Sequence, residues 1–213
     1  MPDKEINDVA DDEEGHKKKA VSSIGNNPTH HQKDIHTTAM GNSQGINYMT
    51  HETMKLVVNL YFDGGSRGNP GIAGSGVLLK LTKIRQEPIT YNVHPCREII
   101  THKIRCYCGS NSTNNVAEYN GLLQGLKTLY TLVQDFLKEA VKKQSISPVT
   151  KGLHLVEIQV YGDSKLVIDQ IKGLMKVKNT TLQVLHASCM DIVRKLQQNH
   201  HVEIQFEHIY SYL

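Results

Sequence analysis

Three carboxylates in this chain of 213 residues each adjoin a segment that is typical of regular structure. Asp63 follows the apolar run LVVNLYF, and Asp163 follows the similar run VEIQVYG. Glu118 lies about one turn inside a pattern of apolar residues at three- and four-residue intervals, which predicts an amphipathic helix. Carboxylates that gather at one place repel one another unless cations lie among them, and oxygen ligands suit Mg²⁺ or Mn²⁺. The three acids are therefore candidate metal ligands.

The segments around these acids predict a mixed α/β domain. Three strands come first, the first two joined by turn residues as an antiparallel hairpin, and later strands are connected through helices. Strands are predicted at 56–62, 75–82, 98–107, 154–164 and 201–209, and helices at 114–143, 164–173 and 181–198.

This order of elements brings the acids together if the first and fourth strands are parallel neighbours. A right-handed crossover through the long helix would place them so, and their carboxyl ends would then lie side by side. Asp63 and Asp163 would meet there, with Glu118 entering from the helix. Two divalent ions about 4 Å apart can clamp the attacking and leaving oxygens of a phosphodiester.

The first 53 residues differ in composition from the rest. They contain no Leu, no Phe and one aromatic residue, Tyr48, so residues 1–53 are predicted to form a disordered polar tail. They hold 5 Lys and Arg against 9 Asp and Glu, and subtraction from the totals of 24 and 21 leaves 19 against 12 for residues 54–213. A basic domain is compatible with a polyanionic partner, so acids and charge together indicate phosphoryl chemistry on nucleic acid.

The sequence also excludes several classes of protein. No apolar stretch reaches the roughly 18 residues of a membrane span, and the acidic start MPDKEINDVADDEEG is neither a secretory signal nor a transit peptide. We therefore expect an intracellular protein of the cytoplasm or nucleus, without a membrane partner. Its four cysteines are expected to be reduced.

The motifs around the acids resemble those of a known family, the type 1 ribonucleases H. They stand in the order of that family and cover residues 56–209. The matching segments are FDGGSRGNPGIAGSGVLL, TNNVAEYNGLLQGL at 113–126, YGDSKLVIDQIKG at 161–173 and MKVKN at 175–179. No basic handle is visible between Gly173 and Val177, so the chain resembles the handle-less branch.

The resemblance implies a ribonuclease H-like fold, with a mixed five-stranded sheet flanked by helices. It implies endonucleolytic hydrolysis of the RNA strand of RNA–DNA hybrids by a monomer, with two Mg²⁺ ions, or Mn²⁺, on Asp63, Glu118 and Asp163. Glycines between residues 64 and 68 would form a loop that lets the backbone approach the ribose 2′-OH. Nucleic-acid contacts are implied at Gly64, Gly65, Ser66, Asn69, Thr113, Asn114, Asn115 and Lys165.

The C-terminal end departs from the family pattern. The family continues from its last strand through a loop to a final helix whose first turn carries a fourth metal-coordinating aspartate, whereas this sequence stops at Leu213. We therefore expect a C-terminally truncated domain without that helix, with reduced or Mn²⁺-dependent activity, or none. Asp191 is not expected to replace the acid, because it lies within a predicted helix. His208 corresponds either to a histidine of the family's loop or to an ordinary strand end.

Other functions remain open at this stage. A protein that binds hybrids without cutting them is one alternative, because the fourth acid is absent. A DNA-cutting integrase of the same superfamily is another, although the asparagines of NNVAEY and the glycine segment favour reading of ribose. A zinc site is a third, because thiolates and imidazoles suit zinc; its ligands would come from His94, Cys96, His102, Cys106 and Cys108.

Overall fold

The computed structural model describes residues 53–86, 95–143 and 155–210. The elements in these ranges follow the predicted order. They are β1 (Thr53–Gly68), β2 (Gly71–Gln86), β3 (Cys96–Ser112), α1 (Asn114–Lys142), β4 (Val156–Gly162), α2 (Lys165–Ile171), α3 (Thr180–Gln197) and β5 (Val202–His208). The predicted tail, residues 1–53, lies outside the described residues except for Thr53, and its disorder stays a prediction.

The five strands form one mixed sheet in the order β3-β2-β1-β4-β5. β2 pairs antiparallel with both β1 and β3, whereas β4 pairs parallel with both β1 and β5. The parallel arrangement of the first and fourth strands, on which the convergence of the acids depends, is thereby confirmed. The mixed sheet flanked by helices is also the fold that the resemblance to ribonuclease H implies.

The hairpin of β1 and β2 is longer than the sequence predicted. Its pairing runs from Thr53↔Gln86 to Gly68↔Gly71, so most of the predicted glycine loop is strand and only Asn69 and Pro70 form the turn. Gly68 has a φ of 87°, which favours glycine over residues with a side chain. β3 likewise extends to Ser112, beyond the predicted end at residue 107. Pairing with β2 continues along both extensions, with register shifts in β3 opposite Gly71, Ala73 and Gly74.

The helices cover one face of the sheet. Along β1 the even-numbered side chains from Met54 to Phe62 are buried, and α1 packs against this face of β1 and β2. Thr113 caps α1 by accepting a hydrogen bond from the Val116 N–H at 3.4 Å. α3 packs mainly on α1, so α1 is buried along most of its length. Within the described ranges, every helix is too short or too polar to span a bilayer.

Candidate metal centre

The three predicted acids meet at one edge of the sheet. The pairing of β1 with β4 ends at Phe62↔Gly162. Asp63 directly follows Phe62, and Asp163 directly follows Gly162. Asp63 therefore lies where the pairing of β1 with β4 stops. It is not at the end of β1 itself, because β1 stays paired with β2 for five more residues. Glu118 enters from the second turn of α1, and one carboxylate oxygen of each acid lies within 4.8 Å of the other two.

Gly64 allows α1 to approach the sheet closely enough for this meeting. A Cβ atom at Gly64 would lie 2.3 Å from the carbonyl carbon of Ala117 and from the nitrogen of Glu118. The Gly64 N–H also donates a hydrogen bond to the Glu118 carboxyl group. The glycine after Asp63 is therefore needed for packing, whether or not it also contacts nucleic acid.

The environment of Glu118 opposes a negative charge. Its side chain is buried, with 5% exposure, and burial raises the pKa of its carboxyl group to about 8, with further contributions from Asp163 and then Asp63. The hydrogen bond from Gly64 lowers this pKa and offsets only part of the rise. Without a cation, Glu118 is therefore mostly protonated at neutral pH.

Two buried oxygen atoms in this cluster have no hydrogen-bond partner. They are Oε2 of Glu118 and Oδ1 of Asp163, whereas Asp63 is exposed to solvent. Buried acceptors are nearly always satisfied in native proteins, so a cation is the missing partner that the donor set indicates. Three carboxylates without nitrogen or sulfur ligands suit Mg²⁺ or Mn²⁺, and the residues therefore fit the implied metal.

The predicted nucleic-acid contacts at the hairpin end lie on β1 beyond Asp63 and in the turn that follows. Asn69 Oδ1 accepts a hydrogen bond from the Asn114 N–H at 3.1 Å, which ties the turn to the start of α1. The Ser66 hydroxyl lies 2.7 Å from the Ser112 carbonyl oxygen and 2.5 Å from that of Gly68, so it can donate to either. Gly65 is exposed on the strand. These contacts hold the hairpin end against the start of α1 and the end of β3.

The remaining predicted contacts lie at helix starts. Thr113 and Asn115 stand at the cap and in the first turn of α1, where Asn115 is half-buried. Lys165 is the first residue of α2, directly after Asp163 and Ser164, and forms an ion pair with Asp169. The binding role of all eight residues stays a prediction.

His208 is also next to the acids. It is the last residue of β5, and its Nε2 atom lies 3.1 Å from the backbone carbonyl oxygen of Asp163. The Ile209 N–H donates to the Gly162 carbonyl at 3.0 Å, so the chain after β5 stays against the end of β4. The position of His208 agrees with both alternatives for this residue, a strand end and the histidine of the family's loop.

Among the described residues, the alternative metal ligands do not gather into a site. Within residues 53–86, 95–143 and 155–210, the three acids form the only group of three or more metal-binding side chains close enough to share an ion. Cys106 and Cys108 are half-buried free thiols, and Cys108 instead donates to the Ser75 hydroxyl at 3.4 Å. His94 lies outside the described residues. Asp191 is exposed on α3 and forms an ion pair with Lys195 at 2.7 Å.

Sequence reasoning missed the basic side chains beside the acids. A groove of about 430 Å³ is lined by Asp63 and Asp163 at one end and by Lys103 and Arg105 of β3 at the other. The alternation in β3 predicts that Lys103 and Arg105 share a face. The register with β2 then decides that this face is the one that carries Asp63.

Comparison with known proteins identifies several similar chains. No family model matches the chain. It is 31% identical over 145 residues to "Bifunctional protein Rv2228c" of Mycobacterium tuberculosis, and equally to "Uncharacterized protein Mb2253c" of Mycobacterium bovis. The match covers 68% of this chain and 30% of each relative, so the chain spans about a third of the length of the curated relatives it matches.

Solved structures give related matches. The N-terminal RNase H domain of Rv2228c from Mycobacterium tuberculosis is 28% identical, covering 74% of this chain and 84% of that one, with a TM-score of 0.41. LC11-RNase H1, isolated from compost by a metagenomic approach, is 29% identical, covering 74% and 85%, with a TM-score of 0.42. A second structure of LC11-RNase H1, in complex with an RNA/DNA hybrid, is 27% identical over 72% of this chain and 86% of that one, with a TM-score of 0.42. Because these TM-scores are below 0.5, the relationship rests on sequence identity and motifs and not on superposition.

Proposed function

Since the chain is related to the type 1 ribonucleases H, we propose that it hydrolyses the RNA strand of RNA–DNA hybrids endonucleolytically. The proposed site consists of Asp63, Glu118 and Asp163, with Mg²⁺ or Mn²⁺ as the cofactor. The observation that carries the proposal is the meeting of these carboxylates within 4.8 Å at the edge where β1 and β4 separate. A related protein, LC11-RNase H1, has been solved with an RNA/DNA hybrid, which supports the choice of substrate.

Each acid would contribute differently to the site. When bound, divalent ions supply Lewis-acid activation of water and neutralise charge on the phosphodiester. Asp63 is exposed and faces the substrate side, whereas Glu118 is buried beneath it and Asp163 is intermediate. Glu118 must release a proton before it can act as a ligand, because its pKa is raised to about 8. Binding of a metal ion at this site should therefore be stronger at higher pH.

The hairpin end would supply discrimination between RNA and DNA. The turn at Asn69 is held against the first turn of α1 by its hydrogen bond to Asn114. Gly65 and Ser66 lie on the same strand just beyond Asp63, so polar backbone and hydroxyl groups are close to a phosphodiester at the acids. A ribose 2′-OH can donate and accept hydrogen bonds there, which a deoxyribose cannot.

The experiment compares cleavage of labelled RNA–DNA hybrid, duplex RNA and duplex DNA by the purified chain in Mg²⁺ and in Mn²⁺. We expect RNA-strand cleavage of the hybrid alone. Asp63→Asn should reduce this cleavage by about a hundredfold or more, since even outer partners of metal ligands have effects near that size. The matched control is Asp135→Asn, an exposed aspartate of α1 paired with Lys138, which should cleave normally. Cleavage of duplex DNA would contradict the proposal.

A second candidate is a hybrid-binding protein that does not cleave. The observation in its favour is that the cluster contains three carboxylates among the described residues, whereas the family pattern has four. The same experiment separates the two candidates. Hybrid binding with no cleavage in either metal would favour this second function.

A further inference from the structure

We propose that Gln170 is a positioning residue for the metal centre, which acts through the Tyr119 hydroxyl on the turn of α1 that carries Glu118. Tyr119 directly follows Glu118, and Gln170 lies in the last turn of α2, a helix that begins two residues after Asp163. The inference rests on the proposed function and deepens it, because it concerns how the same acids are held for a divalent ion.

A buried hydrogen bond connects the two helices. The Tyr119 hydroxyl donates to Gln170 Oε1 at 2.7 Å, and the two residues are 0% and 5% exposed. Water cannot easily replace a partner at such a position, so this bond is costly to lose. α1 packs mainly on the sheet and on α3, and only lightly on α2. The hydrogen bond is therefore a principal connection between the helix that carries Glu118 and the helix that follows Asp163.

Gln170 is itself fixed by neighbouring segments. Its Nε2 atom donates to the Lys176 backbone carbonyl at 3.5 Å, and its own backbone carbonyl oxygen lies 3.2 Å from Nε2 of His186 on α3. The Gly173 N–H donates to the same oxygen at 3.1 Å. One end of the side chain must accept from Tyr119 while the other end donates to Lys176, and a carboxylate or an apolar side chain cannot do both. The site therefore requires an amide.

Helix geometry explains how Tyr119 acts on Glu118. Successive residues of an α-helix project about 100° apart, so these two side chains leave the same turn in different directions. On one side, Gly64 lets the backbone of this turn lie against β1. On another side, the Tyr119 ring lies edge-on to His186, with 6.4 Å between centroids, and its hydroxyl ends at Gln170. Loss of the hydroxyl contact would let α1 rotate about its axis and move the Glu118 carboxyl group relative to the other two acids.

A small movement of Glu118 matters because the expected ion is exacting. Mg²⁺ requires nearly octahedral coordination with oxygen atoms at about 2.0–2.1 Å. Removal of a side chain that orients a metal ligand lowers metal affinity by about 10–100-fold. Gln170 acts one step further away, through Tyr119, so we expect an effect at the lower end of this range, about tenfold.

The experiment measures Mn²⁺ binding to the purified chain from the electron paramagnetic resonance signal of free Mn²⁺, together with denaturant unfolding and hybrid cleavage. Gln170→Leu should raise the Mn²⁺ dissociation constant about tenfold and lower the unfolding midpoint, because the Tyr119 hydroxyl loses its acceptor. The double variant Tyr119→Phe with Gln170→Leu removes both polar groups. It should regain part of the lost stability, whereas its Mn²⁺ affinity should stay low.

The matched control is Val133→Ala, at a fully buried position of the same helix about 22 Å along its axis from Glu118. It should lower the unfolding midpoint, because it leaves a cavity, without changing Mn²⁺ affinity. If Val133→Ala loses affinity as Gln170→Leu does, or if affinity returns with stability in the double variant, Gln170 is only structural and the proposal fails.

The outcomes also separate this inference from the proposed function. Unchanged Mn²⁺ affinity in Gln170→Leu, with a wild-type chain that binds Mn²⁺ and cleaves hybrid, would overturn the positioning role and leave the function standing. Weaker Mn²⁺ binding by Gln170→Leu, with a wild-type chain that binds Mn²⁺ but cleaves no hybrid, would support the positioning role and contradict the function. A wild-type chain that binds no Mn²⁺ would overturn both.

Discussion

Replacement of Glu118 by Gln should stabilise the metal-free domain at neutral and alkaline pH. The pKa of the Glu118 carboxyl group rises from 4.5 to about 8 on folding, chiefly because it is buried and then because Asp163 and Asp63 repel its charge. Gln has nearly the same shape, keeps an oxygen that can accept from the Gly64 N–H, and carries no charge. The variant therefore removes the penalty without opening a cavity.

The sign of the effect follows from proton binding. Because the folded-state pKa is above the unfolded value, the folded protein holds the proton over the range in which the unfolded chain has lost it. The contribution of Glu118 to stability is therefore full below pH 4.5 and is lost as the pH rises to about 8. A rise of this size corresponds to about 5 kcal/mol at complete deprotonation. Water at the exposed Asp63 solvates part of the Glu118 charge as the site relaxes and also screens the repulsion, so we expect about half, ~2.5 kcal/mol.

The assay is thermal unfolding in a metal chelator at pH 4.5 and at pH 8.5. The melting temperature of Glu118→Gln minus that of wild type should be about 5–10 °C larger at pH 8.5 than at pH 4.5. This follows from ~2–4 °C per kcal/mol for a domain of this size. The control is Glu157→Gln, at a partly exposed surface ion pair with Lys55, which should show little such gain. If the melting temperatures of wild type and Glu118→Gln change equally between the two pH values, the reasoning is refuted.

Three further predictions concern packing and the metal. Gly64→Ala should cost about 1–3 kcal/mol, because its methyl group would overlap the backbone of Ala117, whereas Gly76→Ala, with open space around it, should cost under about 1 kcal/mol; chemical denaturation measures both. Tyr119→Phe should cost about 1–3 kcal/mol, because the buried Tyr119 hydroxyl donates to Gln170 Oε1 at 2.7 Å and the acceptor would lose this partner; equal midpoints would contradict this. Mg²⁺ or Mn²⁺ should raise the melting temperature of wild type more at pH 8 than at pH 6, since Glu118 must lose its proton to bind. A pH-independent shift would exclude Glu118 as a ligand.

Sequence patterns and connection rules were enough to predict a mixed α/β domain and the neighbours of its first strand. The apolar run LVVNLYF, the three- and four-residue spacing of α1 and the right-handed crossover together predicted that β1 and β4 are parallel, and the structure confirms this. The rules failed on the hairpin end, because strand pairing with β2 overrides the tendency of the glycine-rich segment to form a loop. Local propensity describes one segment at a time, whereas pairing depends on two.

The sequence by itself determined which acids could form a metal site, since residue type and position after a strand or within a helix are local properties. Only the tertiary structure decided that Glu118 is buried and that the pKa of its carboxyl group is raised, because burial and repulsion depend on the surroundings of the side chain. It also decided that Arg105, 42 residues from Asp63 in the chain, shares a row of the sheet with it. A single strand shows which side chains share a face, but the pairing register determines what they face.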